Sequence, residues 1–282
     1  EKQLKIAGET DYFYAPLANR LGLHLVKSEL ENLSLQYRAP HEYEKIKQQI
    51  DDYARRHAEA AERWMEPIRE ALRRAGIRAT VTCDKRSVYS IWRKMQKDNL
   101  TFREVEHIRI VHITFENWRE QGLTEKRQAL RIYSLLTDLY TEKPLSLSNY
   151  LDIPKENGYR SLHCKLMGNE GRWMEVHIRS TEMRRRSNYG CLVEQEKSVE
   201  GWIGKFREIL RDIALHNQQK EFFMQDVVTS FYNDDIVVFT EEGARIIMPK
   251  DTTALDFAYE IDAETGEKAK YAIINDKLCS LQ

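Results

Sequence analysis

The stretch NGYRSLHCKLMGNEGRWMEVHIRS, Asn157 to Ser180, concentrates side chains able to do chemistry. Polar and apolar residues alternate through its second half, which predicts a strand with Trp173, Glu175, His177 and Arg179 on one face and Met174, Val176 and Ile178 on the other. The apolar set reads as core. The other set lines up a carboxylate, an imidazole and a guanidinium, close to Tyr159, Arg160 and His163 of the preceding segment. A carboxylate so placed can hold Mg²⁺, an arginine can hold phosphate, and a tyrosine can stack on a base. An ordinary solvated sheet face would show the same alternation. A metal cluster of His107, His112, His163 and His177 is a further reading. The odd spacing of His107 and His112 on one strand, which sends them to opposite faces, weakens it.

The elements that must position these groups follow from composition and pattern. The chain has 282 residues, 41% hydrophobic and 32% charged, enough for about two domains with buried cores. Lys+Arg total 44 against Asp+Glu 45, a formal net charge of -1, so general nucleic-acid binding by basic excess is excluded as the default. Cys83, Cys164, Cys191 and Cys279 form no CxxC or Cys/His ladder and read as reduced thiols. No apolar run is long enough to span a membrane and no signal-peptide pattern is visible, so a cytoplasmic location is expected. The chain opens on a helical pattern without Met, as a fragment or a processed protein would.

The first third reads as helical, interrupted at Pro16 and Gly22, with one long charged helix from His41 to Ala75 stopped at Gly76. Strands are expected at Ile77–Cys83 and Glu106–Phe115, and helices at Val88–Lys97 and Thr124–Tyr140. Ser161–Met167 and Arg172–Arg179 are expected to form a hairpin across Gly168 to Gly171. A charged helical linker follows. From Phe231 the order is strand, turn, strand, helix, strand.

Several stretches carry a family resemblance. PKENGYRSLH (Pro154 to His163) followed by MEVHIRSTEM (Met174 to Met183) is similar to the guanine-nucleotide half of RelA/SpoT synthetase domains, which carry NGYQSLH and EVQIRT-x-M. VYSIWRKM (Val88 to Met95) resembles the YSIxxKM helix of that family, and DDIVVFTEEGARIIMPKDTTALDFAYEI resembles its TGS domain. YAPLANRLGLHLVKSELENLSLQY matches the last helices of its hydrolase domain. The order is collinear over essentially the whole chain. The resemblance implies an α+β fold: a nucleotidyltransferase-like mixed sheet with flanking helices, N-terminal helices, and a small C-terminal β-grasp-like TGS domain. The domains expected are 1–75, the helical end of a hydrolase domain; 76–200, synthetase-like; 201–229, a helical linker; and 230–282, TGS.

The reaction implied is pyrophosphate transfer from ATP to the ribose 3′-hydroxyl of GDP or GTP, with Mg²⁺ held by an Asp and a Glu. Charge neutralisation and in-line positioning are what such a transfer needs. By resemblance Glu175 is the catalytic, metal-binding carboxylate. Tyr159, His163 and Arg179 are the guanine-nucleotide residues, and Lys94, Arg109 and Arg86 remnants of the ATP side. Other parts depart from the pattern. Cys83-Asp84-Lys85-Arg86 stands where a Gly-Arg-x-Lys loop is expected, so an acid replaces an ATP-binding arginine. The strand RIVHITF, Arg109 to Phe115, offers no carboxylate until Glu116. Ser148-Asn149 replaces a Lys-Asp pair, Arg160 and His177 replace two glutamines, and Leu192 to Gln195 replaces AAHW. With a metal ligand lost and the ATP-site charge inverted, a pseudo-synthetase is expected, Mg²⁺ binding being weak with its partner Asp missing. A divergent pyrophosphokinase using Glu116, or a module sensing GDP, GTP or ppGpp on behalf of an upstream hydrolase domain in cis, stays open. No His-Asp dipeptide occurs, so an HD-type hydrolase metal site is not in this sequence. Asp262 replaces the TGS histidine that lies near the tRNA 3′ end in ribosome-associated relatives, which weighs against tRNA or ribosome sensing.

Overall fold

A computed structural model describes residues 2–117, 122–155, 157–168, 171–190, 193, 235–240, 243, 245–249, 252–275 and 277–280. The chain divides into two compact units, Glu1–Leu215 and His216–Gln282.

The first unit opens with α1 (Lys2–Glu9), a π-helical turn (Thr10–Tyr14), α2 (Ala15–Arg20) and α3 (His24–Arg38). The long charged helix expected from His41 to Ala75 is two helices, α4 (Pro40–Arg56) and α5 (Ala58–Arg74). The break falls at His57, whose backbone leaves the helical region at φ -105 and ψ 11. Its Nδ1 lies 2.8 Å from the Tyr53 carbonyl oxygen, its ring stacks on Tyr53, and its own carbonyl accepts from Arg109. A side chain competing for the carbonyl four residues back loosens the helical ladder at that point.

β1 (Ala79–Lys85), β2 (Arg109–Phe115), β3 (Ser148–Asn149), β4 (Leu162–Met167) and β5 (Trp173–Ser180) form one mixed sheet in the order β1-β2-β5-β4-β3. β2 and β5 run parallel and the other neighbouring pairs antiparallel. β1 begins two residues later than expected, and β2 three residues later, because His107 takes φ 59, a conformation no strand uses.

One face of the sheet is covered by α5 and α7 (Glu125–Leu139). Trp64, Met65, Ile68 and Leu72 recur on one side of α5 and meet Ala129, Ile132 and Leu136 of α7 over Val111, Ile113, Leu162, Cys164, Val176 and Ile178. The expected division of β5 therefore holds: Val176 and Ile178 are in the core and Met174 packs against it. α6 (Val88–Asp98) packs on α4 around a second small core of Ile46, Ile50, Ile91, Val105 and Ile108. α8 (Thr181–Tyr189) leaves β5 at once, its start capped by the Ser180 hydroxyl accepting from the Met183 amide.

In the second unit β6 (Asp235–Phe239) pairs with β7 (Arg245–Pro249), α9 (Ala254–Ile261) and α10 (Ala263–Lys268) follow, and β8 (Tyr271–Ile274) pairs with β9 (Lys277–Ser280). α9 is capped by Thr253 in a reciprocal box with Asp256. The apolar residues of this unit are only partly buried. Phe239, Tyr259, Ile261 and Ile273 are exposed, and Met248 and Ala258 are the buried apolar residues among those described. The expected linker at 201–229, the start of the last domain at 230, and the Leu192 to Gln195 segment lie outside the described residues, apart from Val193.

Candidate functional site

The face of the sheet opposite α5 and α7 collects the reactive groups. The ladder fixes their rows: Ile110 lies beside Glu175, His112 beside His177, and Thr114 beside Arg179, while His163 lies beside His177 on the other side. Asp84 and Thr82 reach the same face from β1, opposite Ile110 and His112.

Glu175 has both oxygens engaged. Arg86 donates from Nη2 to Oε2 at 2.7 Å, and His177 Nε2 lies 2.8 Å from Oε1. Arg86 is itself fixed by its Nε bond to the His107 carbonyl and by its backbone amide on Ile108. Burial pushes the Glu175 carboxyl up, but the His177 hydrogen bond and the Arg86 guanidinium outweigh it and hold the group below the usual carboxylate range. His177 is buried, and burial holds its imidazole below the ordinary histidine value despite Glu175.

His163 stacks face to face on His177, ring centroids 3.6 Å apart. Burial pushes its imidazole down to about 2 and that of His112 to about 3, so both are neutral near pH 7. The Tyr159 hydroxyl lies 2.8 Å from His163 Nε2, and its ring meets Tyr150 edge-on while Lys155 sits 5.9 Å from its centroid. What packs beside Tyr159 is thus the His163–His177 stack and Tyr150. Arg160 turns away to the Leu151 carbonyl, and Trp173 offers its carbonyl to His107.

Other expected residues lie elsewhere. Arg109 lies two residues before Val111 on β2 and so shares its helix-covered face, where it donates to the His57 and Cys83 carbonyls. It lines a cavity of about 280 Å³ with Tyr53, Trp64 and Trp173. Lys94 is half-buried within α6. Glu116 lies six residues beyond Ile110, the row of Glu175, which is roughly 20 Å along the strand. It approaches Arg78 at 4.0 Å instead. Asp84 reaches His112 Nε2 at 3.7 Å. Arg179 stays on the site face, with burial lowering its pKa. The expectation that His107 and His112 leave one strand on opposite faces is corrected: His107 precedes the strand, and His112 joins the row with His163 and His177.

The donors that converge are His163, Glu175 and His177, within 4.8 Å of one another, and among the described residues no second carboxylate joins them. Mg²⁺ requires an octahedron of oxygens and keeps several waters. One carboxylate, already shared with Arg86 and flanked by imidazoles, is a poor fit to it. The Arg86–Glu175 pair was the part that sequence reasoning missed, since 89 residues separate the partners and no local pattern links them.

Comparison with known proteins places two regions. Residues 85–196 match the region found in RelA/SpoT proteins, and residues 236–282 match the TGS domain. Over 291 residues the chain is 28% identical to a guanosine-3′,5′-bis(diphosphate) 3′-pyrophosphohydrolase of Aquifex aeolicus, covering 100% of this chain and 40% of the relative. It is 29% identical to the enzyme of the same name from Haemophilus influenzae, covering 94% of this chain and 39% of the relative. A GTP pyrophosphokinase of Escherichia coli is 28% identical over 292 residues, covering 99% of this chain and 38% of that protein. The chain therefore spans about two fifths of the length of these relatives. Among solved structures, small alarmone synthetase 2 from Bacillus subtilis aligns with a TM-score of 0.37 at 17% identity, covering 66% of this chain and 92% of that one.

Proposed function

From a chain that carries a RelA/SpoT region over residues 85–196 and a TGS domain over residues 236–282, we propose the central section of a longer (p)ppGpp-metabolising protein whose synthetase-like face does not transfer pyrophosphate. Its role is regulatory or structural, in cis to a hydrolase domain upstream. The observation that carries this reading is the state of Glu175. The carboxylate that would hold Mg²⁺ has one oxygen on Arg86 at 2.7 Å and the other on His177 at 2.8 Å, and the described residues set no second carboxylate beside it. A phosphoryl transfer that proceeds by positioning and charge neutralisation loses its main support under those conditions. Asp84 adds a negative charge on the same face, where a triphosphate would have to lie.

The test is direct. Purified chain, given ATP with GDP or GTP and Mg²⁺, is expected to form no (p)ppGpp above the level of Glu175→Gln. Product above that control overturns the reading and restores a divergent pyrophosphokinase. A second reading, a guanine-nucleotide sensor, rests on Tyr159, an aromatic ring of the kind that stacks on a base, which lies beside Tyr150 and Lys155. In the same preparation, calorimetry with GDP, GTP, ppGpp and an ATP analogue separates the two: guanine-nucleotide binding without ATP binding supports the sensor, and no binding supports a purely structural role. No helix among the described residues is long and apolar enough to cross a membrane.

A further inference from the structure

Three histidines stand in one row across three adjacent strands. His163 of β4 is in register with His177 of β5, and His177 is in register with His112 of β2. Residues directly opposite on one face of a sheet have Cβ atoms roughly 4.5–5.5 Å apart, so the row follows from the backbone ladder and not from any particular rotamer. The His163 and His177 rings are 3.6 Å apart and 6° from parallel, and the His112 ring meets His177 edge-on at 5.2 Å. Glu175 precedes His177 by two residues on the same face, bringing Oε1 within 2.8 Å of His177 Nε2. Donor atoms of His163, Glu175 and His177 lie within 4.8 Å of one another, and His112 Nδ1 is buried without a hydrogen-bond partner in the described structure.

We propose that this row binds a divalent transition cation of the zinc class, with His163, His177 and Glu175 as ligands and His112 as the fourth. Imidazole suits zinc, copper and nickel, whereas Mg²⁺ selects oxygen. Two histidines and a glutamate form a donor set that zinc accepts, and three neutral imidazoles suffice for it without any anionic ligand. The two arginines on this face therefore disfavour a cation held by charge alone more than one held by nitrogen donation. Arg86 occupies only Oε2 of Glu175 and orients Oε1 toward the histidines, the part an outer partner plays for a ligating carboxylate.

Ligand bonds of about 2.0–2.2 Å require donors closer than the present spread. Binding accordingly turns one of the stacked imidazoles until both lone pairs converge on one point. Coordination through His163 Nε2 breaks its 2.8 Å contact with the Tyr159 hydroxyl, so cation occupancy and the position of Tyr159 are linked. The site stands whether or not the face transfers pyrophosphate, and its test reads metal and not product.

The experiment is a Co²⁺ titration of the full chain, stripped with EDTA and dialysed, followed by absorbance, with Zn²⁺ and Mg²⁺ added in turn. One equivalent of Co²⁺ is expected to give visible ligand-field bands that Zn²⁺ removes and millimolar Mg²⁺ does not. His163→Asn, His177→Asn and Glu175→Gln are each expected to weaken Co²⁺ binding at least ~10-fold, while His41→Asn, on an exposed position of α4, leaves it unchanged. Thermal unfolding in EDTA identifies any variant that fails to fold, and the remaining two then decide. No stoichiometric Co²⁺ binding by the wild type, displacement by Mg²⁺, or unchanged binding in the folded row variants each overturns the site.

Discussion

Glu175 is held by two partners of different kinds. Arg86 brings a permanent charge from the loop before α6, and His177 brings a neutral imidazole from the same strand. Because the folded value lies below the ordinary 4.5, the carboxylate contributes stability that is fully present above about pH 4.5 and is lost as pH falls below it. The Glu175 side chain is 14% exposed, so its pairing is only weakly screened. Arg86→Gln is therefore expected to destabilise the fold by ~1–3 kcal/mol near neutral pH, with the loss shrinking as the carboxyl is neutralised in acid. In a double-mutant cycle with Glu175→Gln, the coupling at pH 7 should exceed that at pH 3. Equal coupling at the two pH values would show that the pair is not electrostatic. The candidate site was legible in sequence where it rested on alternation, so Glu175, His177 and Arg179 share a face as their spacing requires. The Arg86 contact and the place of His112 depend on which strands become neighbours, and the period of a single strand does not carry that information.

At the scale of elements, two glycines set how three segments meet. Gly22 turns between α2 and α3 at φ 70, and Gly190 follows α8 at φ 46. A methyl group on Gly22 would stand 2.8 Å from the Asn157 carbonyl oxygen and 3.0 Å from the Gly190 Cα, and one on Gly190 would overlap the Leu21 carbonyl. The turn before α3, the Asn157–Tyr159 loop and the end of α8 are thus packed backbone to backbone. Gly76, where α5 stops, also has a positive φ, 67, but open space around it. Gly76→Ala should cost about 1 kcal/mol from conformation alone. Gly190→Ala adds an overlap with backbone and should cost ~1–3 kcal/mol more. Denaturant midpoints of the two variants check this, and equal losses would mean that the close approach carries no energy. Most elements were readable from period, and in the structure Ser87, Thr124 and Ser180 cap α6, α7 and α8. The break at His57 was not readable. No glycine or proline marks it, and it depends on a ring bonding back to Tyr53 and on Arg109, 52 residues away, holding the His57 carbonyl.

At the scale of the whole molecule, a formal net charge of -1 gives no general attraction to nucleic acid, so tRNA binding would have to come from a local surface of the TGS unit. Asp262 was expected to matter there through its charge. It is also a helix cap, because its Oδ1 accepts from the Glu264 and Thr265 amides at 2.8 and 3.0 Å at the start of α10. The bonds to Thr265 hold its carboxyl below the usual range. An Asp262→His variant thus changes charge and removes the cap together, and a weakened unit would hide any gain in binding. Asp262→Asn separates the two, since asparagine caps about as well as aspartate without the charge. The expected outcome is weak wild-type binding to deacylated tRNA, modestly stronger binding by Asp262→Asn at low salt, and no difference once salt screens the exposed site. Its thermal midpoint should match the wild type, whereas that of Asp262→His should fall. A salt series with both variants, read beside their melting curves, makes the check. Wild-type binding tighter than ~1 µM at physiological salt, unaffected by Asp262→Asn, would show that this surface recognises tRNA despite the aspartate, because non-specific contacts alone are weaker than that.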